Sequence, residues 1–165
     1  MCALALLVLA WTSPSHAQVR TTALGATLGA GLERGGGRDG GIVQRAPIFL
    51  DASLRYWTDE DSRVLLGGSV RFEVEGAGEV GVVPRAEAHF KLGKLELRPG
   101  VGFAAYLLPY NMFGPEVSLT GRQPLNTGVG LLTMLNVTGF VLGSDVPKDS
   151  AVLVIGLSVG LDVEL

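Results

Sequence analysis

The stretch Arg63-Val64-Leu65-Leu66-Gly67-Gly68-Ser69-Val70-Arg71-Phe72-Glu73-Val74-Glu75 decides the fold. One parity reads Val64, Leu66, Gly68, Val70, Phe72 and Val74. The other reads Arg63, Leu65, Gly67, Ser69, Arg71, Glu73 and Glu75. Successive side chains of a β-strand point to opposite faces, so this segment is a strand with one apolar and one charged face.

The same period runs outward in both directions. Toward the C-terminus, Val82, Pro84, Ala86, Ala88, Phe90 and Leu92 alternate with Val83, Arg85, Glu87, His89 and Lys91. Leu95, Leu97, Pro99, Val101, Phe103, Ala105 and Leu107 then alternate with Glu96, Arg98, Gly100, Gly102, Ala104 and Tyr106. Segment 113–122 sets Val117 and Leu119 against Glu116, Ser118 and Thr120, whereas 127–142 is apolar on both parities and its facing stays open. The last segment sets Leu153, Ile155, Leu157, Val159, Leu161, Val163 and Leu165 against Val154, Gly156, Ser158, Gly160, Asp162 and Glu164. Toward the N-terminus, 46–57 sets Ile48, Leu50, Ala52, Leu54 and Tyr56 against Phe49, Asp51, Ser53, Arg55 and Trp57. Segment 22–33 sets Leu24, Ala26, Leu28, Ala30 and Leu32 against Gly25, Thr27, Gly29, Gly31 and Glu33.

Short turn-like segments separate these strands: 34–41, 58–61, 76–78, 93–94, 109–112, 123–126 and 143–150. None is long enough for a crossover helix, so neighbouring strands are antiparallel. The expectation is an all-β chain, an eight-stranded antiparallel up-and-down β-barrel spanning residues 18–165 as a single domain.

Residues 1–17 read differently. They hold no Asp, Glu, Lys or Arg, and Met1 to Trp11 is an apolar run. Ser15 and Ala17 flank a polar residue, as at a signal-peptidase site, so a signal peptide cut before Gln18 is expected. The positively charged start of such a peptide is missing, as it would be if translation began upstream of Met1. A short buried helix or an anchored N-terminus is the competing reading. Cys2 precedes the apolar run, so it is not a lipidation site. With no other cysteine in the 165 residues, the mature chain suits an oxidising compartment and has no disulfide framework.

Composition narrows the function. A net charge of −3 leaves no basic footprint for nucleic acid. Hydrophobic residues make up 47%, which excludes disorder. Mean hydropathy is +0.38, high for a chain with 18% charged residues, and an unusual arrangement must accommodate that apolarity.

Alternation alone does not say which face is outside. A soluble lipocalin-like barrel that binds an apolar ligand puts its apolar face in. A membrane barrel puts it out. Strand glycines gather on the charged parity (Gly25, Gly29, Gly31, Gly67, Gly100, Gly102, Gly156 and Gly160). There they would make room in a narrow lumen for long side chains from the opposite wall. The charges on that parity nearly balance, as a lumen demands, because an unpaired buried charge is very costly. The network expected inside comprises Asp51, Arg55, Arg63, Arg71, Glu73, Arg85, Glu87, His89, Lys91, Glu96, Arg98, Glu116 and Asp162. Lys94, Glu33 and Glu164 share its parity. Arg71, Glu73, Arg85 and Glu87, on strands joined by the hairpin at Gly76–Glu79, are expected to meet across the ladder. Pro84 and Pro99 sit on the apolar parity of central strands, where each removes a ladder hydrogen bond, and nothing in the sequence explains them.

The chain end carries a resemblance. Ser158-Val159-Gly160-Leu161-Asp162-Val163-Glu164-Leu165 reads polar, any, Gly, any, any, hydrophobic, any, hydrophobic. This resembles the C-terminal signal that the outer-membrane insertion machinery reads in bacterial β-barrels, with Ser158, Gly160, Val163 and Leu165 at the signal positions. The family usually ends in an aromatic residue, and here Leu165 replaces it. With the signal peptide and the meander, the chain looks like a small eight-stranded outer-membrane β-barrel protein. The resemblance implies a Gram-negative cell-envelope location, membrane lipid and the insertion machinery as partners, and both termini in the periplasm. It also implies aromatics at the two membrane interfaces; Tyr56, Trp57, Phe72, Phe90, Phe103, Tyr106, Tyr110, Phe113 and Phe140 are the candidates.

Candidate chemistry is sparse, and no enzyme and no cofactor are expected. His89, the one histidine after residue 17, is read as a member of the polar network rather than a general base. The apolar parity offers Thr22 and Thr133 but no acid or base for lipid-modifying chemistry. Asp59-Glu60-Asp61 is read as a solvated turn rather than a calcium site. The run Gly35–Gly41 lacks phosphate-loop spacing. Asn136-Val137-Thr138 matches a glycosylation acceptor but sits mid-strand.

Overall fold

The structure, a computed structural model, describes residues 22–35, 43–58, 63–75, 78–109, 111–146, 148 and 150–165. The expected signal peptide at 1–17, the Asp59–Asp61 segment read as a solvated turn and Tyr110 lie outside the described residues.

Eight antiparallel strands form the wall. They are β1 (Thr22–Gly35), β2 (Val43–Trp57), β3 (Val64–Glu73), β4 (Val80–Ala88, continued by Phe90–Leu92), β5 (Leu95–Leu108), β6 (Met112–Pro124), β7 (Val129–Phe140, continued by Leu142–Gly143) and β8 (Val152–Glu164). Each pairs with its sequence neighbours, and β8 returns to β1 from Ala23↔Glu164 to Gly35↔Val152, so the barrel is closed. Thr22 and Leu165 lie together at what we call the near end, where the Leu165 N–H donates to the Thr22 carbonyl at 2.8 Å. There are no helices among the described residues.

Burial alternates along every long strand with the period of the side chains. The apolar parity is the outer one: Leu28, Leu54, Val101, Val117, Leu157 and Val159 are all exposed. This is the reverse of a soluble ligand-binding barrel, whose outer face is polar. An apolar surface running round the whole girth far exceeds the patches that water-soluble monomers expose.

The lumen holds the charged parity and, toward the far end, an apolar plug. Val83, Ala104, Tyr106, Phe140 and Val152 pack together there, with Tyr106 and Phe140 edge to face at 5.3 Å. Tyr106 and Phe140 therefore do not belong to an interfacial belt. Trp57 also lies on the inward parity, its ring 4.8 Å from that of His89. Tyr56, Phe72, Phe90 and Phe103 do face outward. β7 turns Leu132, Met134, Asn136, Thr138 and Phe140 inward, a facing fixed by its register with β6 and β8.

β3 ends at Glu73, two residues short of its expected end. The chain turns there because the Glu73 N–H donates to the Glu79 carbonyl at 2.8 Å, with Gly78 at φ 70° supplying the left-handed conformation that other residues avoid.

Candidate functional site: the charged lumen

Three groups of charges fill the lumen below the apolar plug. In the first, Arg71 on β3 grips Asp51 on β2 through two bonds of 2.9 Å and donates to Glu116 on β6 at 3.1 Å. Arg85 on β4 donates to the same Glu116 carboxylate at 2.8 Å through Nε, and Thr138 donates to it at 2.8 Å. The Phe49 ring lies 4.7 Å from the Arg71 guanidinium. Two arginines against two carboxylates leave this group neutral.

The second group is a pair. Arg55 on β2 donates from Nε to Glu87 on β4 at 2.9 Å and from Nη1 to Ser53 Oγ at 2.9 Å. Both side chains are buried, at 5% and 3% exposure.

The third group sits near the chain termini. Arg122 on β6 donates to Asp162 on β8 at 2.8 Å and lies 3.4 Å from Glu96 and 3.3 Å from Glu164. Arg98 lies 2.9 Å from Glu96, 3.6 Å from Asp162 and 3.4 Å from Glu164. His89 Nε2 stands 3.5 Å from Glu96, and the Arg98 guanidinium lies 5.6 Å from the Trp57 ring. Three carboxylates face two arginines here, with His89 at the margin.

Glycine makes these reaches possible. Register places Gly102 between Arg85 and Glu116, and a Cβ on Gly102 would lie 2.9 Å from the Arg85 side chain. Gly130 is opposite Asp162 on β8 and Pro124 on β6, and the Arg122 side chain slants over it, so that a Cβ there would come within 2.6 Å of both Arg122 and Asp162. An arginine thus passes over the intervening strand to a carboxylate two strands away. What space is left between Ser53, Arg55, Gly67, Arg85 and Glu87 is too narrow for a water molecule.

Of the residues expected in this network, the structure brings together Asp51, Arg55, Arg71, Arg85, Glu87, His89, Glu96, Arg98, Glu116 and Asp162. Arg63 and Lys91 are exposed, as is Lys94, because the strand ends that carry them project past the packed lumen. Glu73 has no ion pair among the described residues and lies beside the turn at Glu79. Arg71, Glu73, Arg85 and Glu87 do not pair with one another. The β3–β4 register sets Gly81 opposite Arg71 and Gly67 opposite Arg85, so each charge finds its partner elsewhere. Arg122 was not among the expected residues, although the parity of Glu116, Ser118 and Thr120 leads straight to it. In the C-terminal segment, Ser158 is buried inward, Gly160 packs on β1 beside Thr27, and Val163 and Leu165 fall on the outer parity.

Among the described residues no three His, Cys, Asp or Glu side chains converge as a metal site. At the far-end turn, burial pushes the Glu79 carboxyl up to about 7, with Glu73, Asp145 and Glu33 adding repulsion.

An apolar outer wall around a charge-filled lumen defines the class: a small transmembrane-type β-barrel. No protein-family model and no curated protein sequence matches the chain. Solved structures do match its fold. A de novo designed transmembrane β-barrel superposes with a TM-score of 0.63 at 10% identity, covering 92% of this chain and all of that one (100%). Neisserial surface protein A (NspA) gives 0.58 at 14% identity, over 87% of this chain and 97% of its own. The N-terminal β-barrel domain of Pseudomonas aeruginosa OprF gives 0.53 at 12%, over 84% and 96%. The fold is that of the small eight-stranded outer-membrane barrels.

Proposed function

We propose that the chain is a non-enzymatic β-barrel of the bacterial outer membrane, structural or interacting through its outer loops, with a lumen closed by paired charges. One observation carries this reading. The large apolar side chains face outward around the girth, while the buried charges face one another inside. Such a wall is matched to hydrocarbon, and such a lumen to neither water flow nor an apolar ligand. A barrel of this strand number has an interior about wide enough for its own side chains. The even strand count leaves both termini on one side, the periplasm, after cleavage of the signal peptide. The segments 34–41 and 143–150 then face outward, and membrane lipid and the insertion machinery are the partners.

The test is fractionation with heat-modifiable gel mobility, followed by planar-bilayer recording. The protein is expected to need detergent for extraction, to migrate differently before and after boiling, and to give no large stable conductance steps. Recovery in the aqueous periplasmic fraction, or porin-sized conductance, overturns the reading.

A further inference from the structure

One seam of the wall has two interruptions of its ladder, where the β1–β2 seam has a single register shift, between Gly29 and Gly31 beside Pro47. The β3–β4 ladder runs unbroken from Val64↔Ala88 to Phe72↔Val80, and the β5–β6 ladder from Glu96↔Arg122 to Tyr106↔Met112. Between β4 and β5 the pairing holds at Val82↔Ala105, skips Val83 and Pro84, resumes at Arg85↔Gly102 and stops at Glu87↔Gly100. It resumes only at Phe90↔Leu97, so Ala88 and Pro99 also stand opposite without pairing. A register shift at Val80/Gly81 lies on the same seam.

Both prolines account for these gaps. Along a strand, the ladder groups alternate sides in step with the side chains. The outward residues of β4 and β5 therefore direct their ladder groups at each other. Pro84 keeps its place opposite Gly68 on the β3 side, and Pro99 keeps its place opposite Leu119 on the β6 side. Their missing N–H groups both fall between β4 and β5, and the facing carbonyls of Phe103 and Ala88 lose their donors. Hydrocarbon offers no water to replace those bonds. The outward Pro115 leaves one break of the same kind in the β6–β7 seam, close to the far end, where pairing stops at Glu116↔Thr138 and resumes at Phe113↔Leu142.

Inside, Gly81, Gly100 and Gly102 line the seam, covered by the side chains of Tyr106, Glu87 and Arg85 from across it, and His89 bridges to Glu96 at 3.5 Å toward the near end. The tie from β4 past β5 is Arg85 to Glu116, at 2.7 Å. Glu87 is bound the other way, to Arg55 on β2. Behind the Pro84 gap lie Val83 and Ala104, both fully buried in the apolar plug with Tyr106, Phe140 and Val152.

We propose that β4 and β5 form a lateral gate in the barrel wall, latched from inside by Arg85 and Glu116, through which an acyl chain of the surrounding lipid reaches the apolar plug. This rests on the membrane-barrel reading. The plug is apolar, so opening exposes it to hydrocarbon rather than to ions.

The test places single thiols in the full chain carrying Cys2→Ser, reconstituted in phosphatidylcholine vesicles. Ala104→Cys lies behind the gap. Leu132→Cys is equally buried, at 0%, behind the unbroken ladders of β7. A membrane-partitioning maleimide is expected to label Ala104→Cys at least about tenfold faster than Leu132→Cys, the effect of losing a few ladder bonds. A sulfonated, water-confined maleimide is expected to show no such preference. Replacing Pro84 and Pro99 by valine should slow Ala104→Cys to the control rate, and Glu116→Gln should speed it. Equal labelling of the two thiols, or a rate indifferent to the prolines, overturns the gate. Hydrogen exchange of the unsubstituted chain is a second readout: the amides of Val82, Ala86, Val101 and Phe103 should exchange ahead of those of β8, whose ladders are unbroken on both sides, and uniform exchange overturns the proposal. Retention in the vesicles after alkaline carbonate washing is scored separately, so failure of the membrane reading is distinguishable from failure of the gate.

Discussion

The Arg55–Glu87 pair offers the sharpest measurement of what the lumen does for stability. It is the simplest of the three groups: one guanidinium, one carboxylate 2.9 Å away, and Ser53 as the single further hydrogen-bond partner among the described residues. Arg55→Met leaves Glu87 at 3% exposure, with no other cation among the described residues within ion-pair distance. Removing one member of a buried pair costs ~3–5 kcal/mol, because the survivor keeps its desolvation penalty and loses its compensation. Glu87→Leu should cost a similar amount by stranding Arg55, softened by Ser53. The double variant Arg55→Met/Glu87→Leu replaces the pair by apolar volume and should recover most of the loss, to within ~1 kcal/mol of the parent. The expected coupling is therefore ~3 kcal/mol or more in a double-mutant cycle. Arg45 and Glu75, whose side chains are 62% and 47% exposed, supply the control. Breaking that pair should cost less than ~1 kcal/mol. The assay is denaturant unfolding in detergent micelles or lipid vesicles, followed by Trp57 fluorescence and by gel mobility without boiling. A cost under ~0.5 kcal/mol for Arg55→Met would mean that the group is solvated and the lumen assignment wrong. A double variant worse than the sum of the singles would mean that the two residues are not a pair.

Gly130→Val puts a side chain where a Cβ alone would come within 2.6 Å of Arg122 and Asp162, and is expected to destabilise by ~2 kcal/mol or more in the same assay, whereas Gly139→Ala, with open space around it, should cost under ~1 kcal/mol. Val70→Arg, on the outer face at 37% exposure, should cost ~2–4 kcal/mol in lipid if it meets mid-bilayer hydrocarbon, and an unchanged unfolding midpoint would contradict that facing. The Glu79 carboxyl, raised to about 7 in the fold from its ordinary 4.5, binds its proton more tightly folded than unfolded. Stability should therefore fall as pH rises from about 4.5 to about 7 and level off above, by linkage. Glu79→Gln should raise the unfolding midpoint at pH 8 and leave it nearly unchanged at pH 4; a gain of equal size at both would refute the assignment.

Facing was readable from residues alone because it depends on parity, and parity is a local property. Arg55, Arg71, Glu87 and Asp162 each announce their side of the wall through their neighbours at i±1 and i±2. Where parity carried no contrast, as in β7, facing became visible only in the closed barrel. Leu132 and Met134 are as apolar as Leu131 and Leu135, and the inward set is selected by register against Arg122, Thr120 and Ser158. Strand ends were also beyond reach of alternation. Arg63 and Lys91 continue the charged parity but lie where the packed lumen has stopped, so their parity places them inside and their height places them outside.

Partnership is a different kind of information. The charged residues of β3 and β4 share a hairpin, and proximity in sequence suggests that they pair; the barrel sends Arg71 to β2, Arg85 to β6 and Glu87 to β2 instead. Partners are set by strand stagger around a closed circuit and by which intervening positions lack a side chain. The second condition was visible as glycine on the charged parity, and its use as a passage for Arg85 over Gly102 and Arg122 over Gly130 was not. The two prolines follow the same logic in reverse. Read along one strand, each is an unexplained loss of a hydrogen bond. Once the circuit is closed, outward parity directs both losses to a single seam, and the arginine that reaches over Gly102 ties that same seam shut from within. A feature that weakens the wall and a feature that binds it therefore meet at one place, which is why the β4–β5 seam, rather than the loops, is where the barrel's conformational freedom should be sought first.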